Sequence, residues 1–167
     1  MQAHQFTPMT ADDFATFWPT FQAIVAAQET YAIDPEINFD DAYQLWCRGP
    51  KATFVAKDSQ GQLLGSYYLK ANAAGPGKHV CNCGYMVTPA ARGKGVARGM
   101  CEHSQQVARE LGFLAMQFNA VVATNEIAVT LWQQLGFKIV GSVPNAFHHA
   151  THGLVTTHVM HKALSAD

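Results

Sequence analysis

The stretch Val87-Thr88-Pro89-Ala90-Ala91-Arg92-Gly93-Lys94-Gly95-Val96-Ala97 constrains this chain more than any other. It follows an apolar, strand-like run and opens a long amphipathic helix. Gly93 and Gly95 carry no Cβ, so the backbone can turn sharply and a ligand can approach it closely. The first amides of the following helix have no intrahelical partner and point outward. The helix dipole puts partial positive charge at the same place, and Arg92 and Lys94 add full charges. The combination makes a cradle suited to a pyrophosphate. The plain alternative is a strand-to-helix turn with basic residues for solubility.

The chain has 167 residues, enough for one domain with a full core, taken as 1–167. Its net charge of -1 gives bulk electrostatics no pull toward nucleic acid or an anionic membrane. No apolar run approaches the roughly 18 residues of a membrane span, and no secretory h-region follows Met1. Cys81 and Cys83 share one face of a strand, but no second cysteine pair accompanies them. Buried free thiols in a cytoplasmic protein are therefore expected, with no metal.

Hydrophobic periodicity gives the order β-α-α-β-β-β-α-β-α-β-β, an α/β (α+β) pattern of seven strands and four helices. Gln5 to Thr7 is the first strand, stopped by Pro8, and Thr10 or Asp12 caps the first helix. Pro19 is expected to kink or divide that helix. Asn38 or Asp40 caps a short second helix, ended at Gly49-Pro50. Strands follow at 51–57 and 63–69 around the turn Asp58-Ser59-Gln60-Gly61. The fourth strand is 79–87, where Gly84 marks a bulge or a close backbone approach. The long third helix covers 95–111, and the fifth strand, 114–122, reads as central. Thr124 or Asn125 caps the fourth helix. The sixth strand, 138–143, leads into a loop at 144–153 that is rich in histidine, and the last strand is 154–160.

Two asparagines are out of character for their strands. Asn82 and Asn119 sit in apolar runs, where an amide costs free energy unless it is hydrogen-bonded. Two amides facing one cleft can hold a carboxylate or carbonyl without adding net charge. The plain alternative is that each bonds a neighbouring loop.

Arg92-x-x-Gly95-x-Ala97 fits neither the Walker pattern nor the Rossmann fingerprint, since Arg98 stands where the latter needs its third glycine. It resembles R-x-x-G-x-[GA], the acyl-CoA pyrophosphate loop of the GNAT superfamily of N-acetyltransferases. A second segment, Asn125-x-x-Ala128-x-x-Leu131-Trp132-x-x-Leu135-Gly136-Phe137, is similar to that superfamily's N-x-x-A-x-x-[LF]-[YW]-x-x-x-G-F motif. The element order agrees as well. The resemblance implies the GNAT fold, a mixed and mostly antiparallel sheet whose fourth and fifth strands splay apart to admit a pantetheine arm.

It also implies acetyl-CoA as cosubstrate and direct transfer of its acetyl group to an amine. Met86, Val87, Arg92, Gly93, Lys94, Gly95, Val96, Ala97, Asn125 and Trp132 would then contact the cofactor. Backbone amides near Val87 would polarise the thioester carbonyl. The first two helices and their connector often roof the acceptor in this superfamily, which makes Glu29, Tyr31, Glu36 and Tyr43 candidate substrate contacts, with solvated surface the plain alternative for each. Dimers through the last strands are common there, and a homodimer is open for this chain.

A narrower resemblance lies in His79-Val80-Cys81-Asn82-Cys83-Gly84-Tyr85 and Phe118-Asn119-Ala120-Val121-Val122-Ala123-Thr124-Asn125. These strings are similar to the matching strands of the azetidine-2-carboxylate (proline-analogue) N-acetyltransferases. That implies Asn82, Asn119 and Tyr85 as acceptor contacts, and Asn119 and Asn125 as catalytic or water-positioning residues. The acceptor would be a small amine bearing a carboxylate. Two departures stand out: no glutamate base lies on the fourth strand, and Trp132 replaces the tyrosine acid of the fourth helix. Proton transfer would pass through water, or through His79, His148 or His149. Acetylation of a protein N-terminus or lysine, and a silent acyl-CoA-binding module, are the alternatives.

Overall fold

The structure is a computed structural model describing residues 3–164. Its elements are β1 (Gln5–Pro8), α1 (Ala11–Ala27), α2 (Phe39–Tyr43), β2 (Ala52–Lys57), β3 (Leu63–Ala71), β4 (Val80–Val87), α3 (Val96–Glu110), β5 (Ala115–Val122), α4 (Glu126–Gln134), β6 (Lys138–His149) and β7 (Gly153–Ala163). The strands form one sheet in the order β1-β2-β3-β4-β5-β7-β6. β4 and β5 are parallel, and the other neighbours pair antiparallel. This is the mixed, mostly antiparallel sheet expected from the sequence.

Two apolar clusters cover the two faces. Under α1 and α2 lie Phe14, Phe17, Phe21, Val25, Trp46 and Met86. Under α3 and α4 lie Met100, Cys101, Met116, Phe118, Trp132, Phe137 and Met160, among others. The α1 phenylalanines recur at three and four and are fully buried, each contributing roughly 2 kcal/mol of hydrophobic stabilisation. Thr10 caps the helix reciprocally: its Oγ1 accepts from the Asp13 amide at 3.0 Å, while the Asp13 carboxylate accepts from the Thr10 amide at 3.0 Å.

Two expectations are corrected, and of the two alternatives for Gly84 one is found. Pro19 neither divides nor ends α1, which runs unbroken from Ala11 to Ala27. Pro19 and Ala15 are both on the exposed side, where water can take the carbonyl that proline leaves without a donor. Gly84 makes no bulge, because the β3–β4 register is continuous from Gly65–Val87 to Ala71–Cys81. It is instead a close approach: a Cβ there would stand 2.6 Å from Cε1 of Tyr68. The histidine-rich segment is not a loop either. β6 continues through Pro144 to His149, with a register shift between Val143 and Phe147 and Asn145 at φ 53°. β6 is an edge strand, where a proline need not donate to a ladder.

β4 and β5 share only two backbone pairs, Val80–Ala115 and Cys81–Met116. Beyond these the strands separate, and β5 pairs with β7 with a shift between Phe118 and Val121. Lys162 of β7 anchors the far side. Its ammonium donates to Gln105 Oε1 of α3 at 2.6 Å and to the carbonyl of Leu135, just past α4, at 2.8 Å.

Candidate active site

The turn between β4 and α3 is built as the sequence predicts. Gly93 and Gly95 have φ of 75° and 77°, the left-handed region that glycine enters without strain. Gly95 caps α3 without any side-chain bond. The Gly93, Gly95, Val96, Ala97 and Arg98 amides have no hydrogen-bond partner among the described residues. Arg92 and Lys94 are exposed beside them. Five such amides, a helix N-terminus and two cations meet at one turn, an arrangement chemically suited to phosphate. A cavity of about 250 Å³ borders the turn, lined in part by Thr88, Ala90, Lys94, Asp58 and His4. A shallow hollow of about 440 Å³ runs along α4 at Glu126, Ile127, Thr130, Leu131 and Gln134.

The splay opens directly from this turn. Antiparallel pairing alternates the direction of backbone groups, so Tyr85, like Val87, turns its amide and carbonyl away from β3 and toward the gap. Val87 is half-buried, whereas the Met86 side chain is buried under α1 and its backbone pairs with Ser66. In the gap stands the hydroxyl of Tyr31, from the connector after α1. It donates to the Tyr85 carbonyl at 2.6 Å and accepts from the Tyr85 amide at 2.7 Å. Of the four connector and roof residues named from the sequence, Tyr31 is the one bonded to β4. Glu29 and Glu36 are exposed, and Tyr43 packs on Phe14 and Arg48.

A row of amides crosses the face of the sheet below Tyr31. Asn82 is buried; its Nδ2 donates to the Gln117 carbonyl at 2.9 Å, and its Oδ1 accepts from the Tyr68 hydroxyl at 3.2 Å. Gln117 Nε2 donates to Asn119 Oδ1 at 3.0 Å, and Asn119 Nδ2 donates to Asn72 Oδ1 at 2.7 Å. Asn82 and Asn119 therefore belong to one chain of bonds, joined through Gln117 and not directly. Asn119 is the exposed member. Gln117, Asn72 and Tyr68 were not singled out from the sequence, where their only signal is a polar side chain on or beside an apolar strand.

The remaining sequence-derived residues fall elsewhere. The Tyr85 side chain leaves the gap for the α3–α4 core: it packs 5.1 Å from Trp132, and its hydroxyl meets Ser104 Oγ at 2.7 Å. It does not wall the amide row. Trp132 is buried against Phe118 as well. Asn125 caps α4, its Oδ1 accepting from the Ala128 amide at 3.4 Å. Burial raises the hydroxyl pKa of Tyr31, Tyr68 and Tyr85, that of Tyr68 to about 12, so all three stay protonated at neutral pH.

The histidines separate by geometry. His149 is buried, and its Nδ1 accepts from the Thr151 amide at 3.1 Å and the His152 amide at 3.3 Å. That Nδ1 lone pair is engaged within its own turn and is not turned to a substrate. His148 is exposed on the opposite side of its strand, and His79 is exposed before β4, at the paired end of the splay. The Ala150 amide, in the tight hairpin after β6, donates to the Gln28 carbonyl at the end of α1 at 3.0 Å. This ties the β6–β7 hairpin to the connector that carries Tyr31. The cysteines are unpaired; burial raises the Cys47 thiol to about 12 and the Cys101 thiol to about 11. Among the described residues no helix is long and apolar enough to cross a membrane.

A strand-turn-helix anion cradle feeding a splayed parallel pair defines a class of cosubstrate-binding transferase folds. The model of the acetyltransferase (GNAT) family matches residues 14–137, and this chain belongs to that family. A GCN5-related N-acetyltransferase from Kribbella flavida is 48% identical, covering 96% of this chain and 98% of that one, with a TM-score of 0.92. The fission yeast N-acetyltransferase aca1 (Schizosaccharomyces pombe) is 35% identical over 97 residues, 58% of this chain and 46% of that protein. The match thus spans under half the length of aca1. A phosphinothricin acetyltransferase from Sinorhizobium meliloti, solved with acetyl-CoA, shares the fold with a TM-score of 0.85 at 18% identity, covering 97% and 89% of the two chains.

Proposed function

We propose that this protein is an N-acetyltransferase that moves an acetyl group directly from acetyl-CoA to the amine of a small, carboxylate-bearing acceptor. The observation that carries the reading is the set of five amides, unpartnered among the described residues, in the turn and at the head of α3, beside the β4–β5 gap. The pyrophosphate would lie on those amides with Arg92 and Lys94, and the pantetheine would run along the gap-facing backbone of β4. Acetyl-CoA bound to the Sinorhizobium neighbour supports this choice of cosubstrate.

The acceptor would lie over the amide row. Asn119, the exposed member of the row, is the contact for a carboxylate or carbonyl, through the Nδ2 hydrogen that Asn72 leaves free. Asn82, with both polar atoms already engaged, holds the splay open at the right place and has one donor hydrogen left to offer. The connector and the β6–β7 hairpin are joined at Gln28 and Ala150, and together they would roof this face. A roofed site favours an amino-acid-like molecule over a peptide chain. The thioester is already activated, so positioning of the two substrates supplies much of the rate. The amine proton leaves through water held at Asn119 and Asn125.

Release of CoA thiol should be measured with cyclic imino acids, primary amino acids, polyamines and short peptides. Turnover with a carboxylate-bearing small amine, sharply reduced by Asn119→Ala, is expected. Turnover with peptides alone would assign the protein to protein acetylation. Acetyl-CoA binding without any turnover would leave a binding module.

A further inference from the structure

Tyr31 is attached to β4 in an unusual way. One hydroxyl serves both backbone groups of one residue, accepting the Tyr85 amide and donating to the Tyr85 carbonyl. Both groups face the gap, on the side of β4 that loses its strand partner after Cys81. Without Tyr31 they would be an unpaired amide and carbonyl in a largely buried place, which costs free energy. Tyr31 therefore does for Tyr85 what β5 does for Cys81. The connector that brings it has no strand of its own. It hangs from α1 at Gln28, which takes φ of 53°, and leans edge-on against Trp46, with ring centroids 6.3 Å apart. Trp46 is in turn fixed by donation from Nε1 to Ser66 Oγ at 2.9 Å. The Tyr31 ring is thus packed on a hydrogen-bonded tryptophan, while its grip on β4 rests on two exchangeable hydrogen bonds.

We infer that the Tyr31 hydroxyl is a stand-in for the cosubstrate, holding in the free protein the place on the Tyr85 amide that an acyl thioester carbonyl takes. The chemistry is matched: the hydroxyl oxygen and a carbonyl oxygen are both neutral acceptors for one N–H. The bond to the Tyr85 carbonyl is separate, and a thioester cannot replace it. An acyl thioester thus gains one bond and displaces two, whereas free CoA, which has no carbonyl at that point, leaves Tyr31 in place. Tyr31 thereby sets how strongly the protein distinguishes acetyl-CoA from CoA. The inference rests on the reading that acetyl-CoA binds in the splay.

The test is calorimetric titration of the full chain and its Tyr31→Phe variant with acetyl-CoA and, separately, with CoA. Phenylalanine keeps the ring against Trp46 and removes the competing hydroxyl. The variant is expected to bind acetyl-CoA about five- to tenfold more tightly, with CoA changed less than about twofold. An unchanged ratio of the two affinities, or weaker acetyl-CoA binding, would overturn the stand-in role. Failure of the unaltered protein to bind either nucleotide would sink the reading of the splay itself. A second measurement needs no variant: the Tyr31 hydroxyl proton, followed by NMR, should be protected in the free protein and with CoA, and lose that protection on saturation with acetyl-CoA. Persistence of the protected proton in the acetyl-CoA complex would also refute the inference.

Discussion

Asn82 reaches from β4 to the carbonyl of Gln117 on β5 at 2.9 Å, immediately past the last backbone pair that the two strands share. A side-chain amide thus extends the ladder by one bond and then stops it. Asn82→Ala leaves the Gln117 carbonyl and the Tyr68 hydroxyl without this partner. A loss of about 1–3 kcal/mol of unfolding free energy is expected, measured by urea denaturation. Acetyl transfer should fall as well, because the opening of the gap is no longer fixed. An Asn82→Ala variant with unchanged stability would show that the bond is not part of the fold's support.

Gly95→Ala separates folding from ligand binding. Nothing lies within 4 Å of a Cβ built there, so the cost to the free protein is the left-handed conformation alone, about 1–2 kcal/mol. In the complex the methyl group would stand where a phosphate approaches the backbone. The dissociation constant for acetyl-CoA should therefore rise more than about tenfold, beyond what lost stability explains. Arg92→Ala should weaken binding less, and by an amount that shrinks as salt is raised.

Lys162 joins β7 to α3 and to the end of α4, far from the amide row in the bonding pattern. Lys162→Met keeps the stem and removes the ammonium. It should destabilise by about 1–3 kcal/mol through the orphaned Gln105 amide oxygen and Leu135 carbonyl. KM for acetyl-CoA should be unchanged, as steady-state kinetics at 25 °C would show.

His103 sets a pH dependence. Its ring stacks on Phe6 at 4.5 Å, its Nδ1 meets the Tyr67 hydroxyl at 2.8 Å, and burial lowers its pKa, with Glu110 pulling the other way. A histidine whose folded-state pKa is depressed binds protons more readily once unfolded. Its contribution is fully present above the unfolded value of about 6.5 and is lost as pH falls below it. Thermal midpoints between pH 7.5 and 5 should drop more steeply for the unaltered protein than for His103→Phe. Asp13 acts in a lower window. Desolvation raises its pKa, but bonds from Lys57 and Thr10 outweigh this and lower it, so its contribution fades only as pH falls through the carboxylate range.

The parts legible in the sequence were those whose cause is local. Arg92, Gly95 and Ala97 announce the cradle because turn, helix start and charge all lie within six residues. Asn82 announced itself as a polar group in an apolar strand, although its partner, Gln117, was invisible. Tyr31 was legible only as one of four residues near the connector, because the group it bonds lies 54 positions away and nothing local announces that partner. Pro144 misled because proline usually ends a strand, and whether a strand lies at an edge is a property of the whole sheet. Tyr85 was expected to wall a pocket with its side chain, but alternation along β4 sends its ring to the core while its amide stays in the gap.

Gly84 has a reach out of proportion to its size. The ring of Tyr68 lies where a side chain at position 84 would be, and the Tyr68 hydroxyl meets Asn82. One added methyl group would push that ring and, through it, the amide where the two strands part. The spacing where β4 and β5 part is thus governed by an atom that is missing from position 84. Anyone altering the gap between these strands should vary position 84 together with Tyr68, as a single mechanical unit.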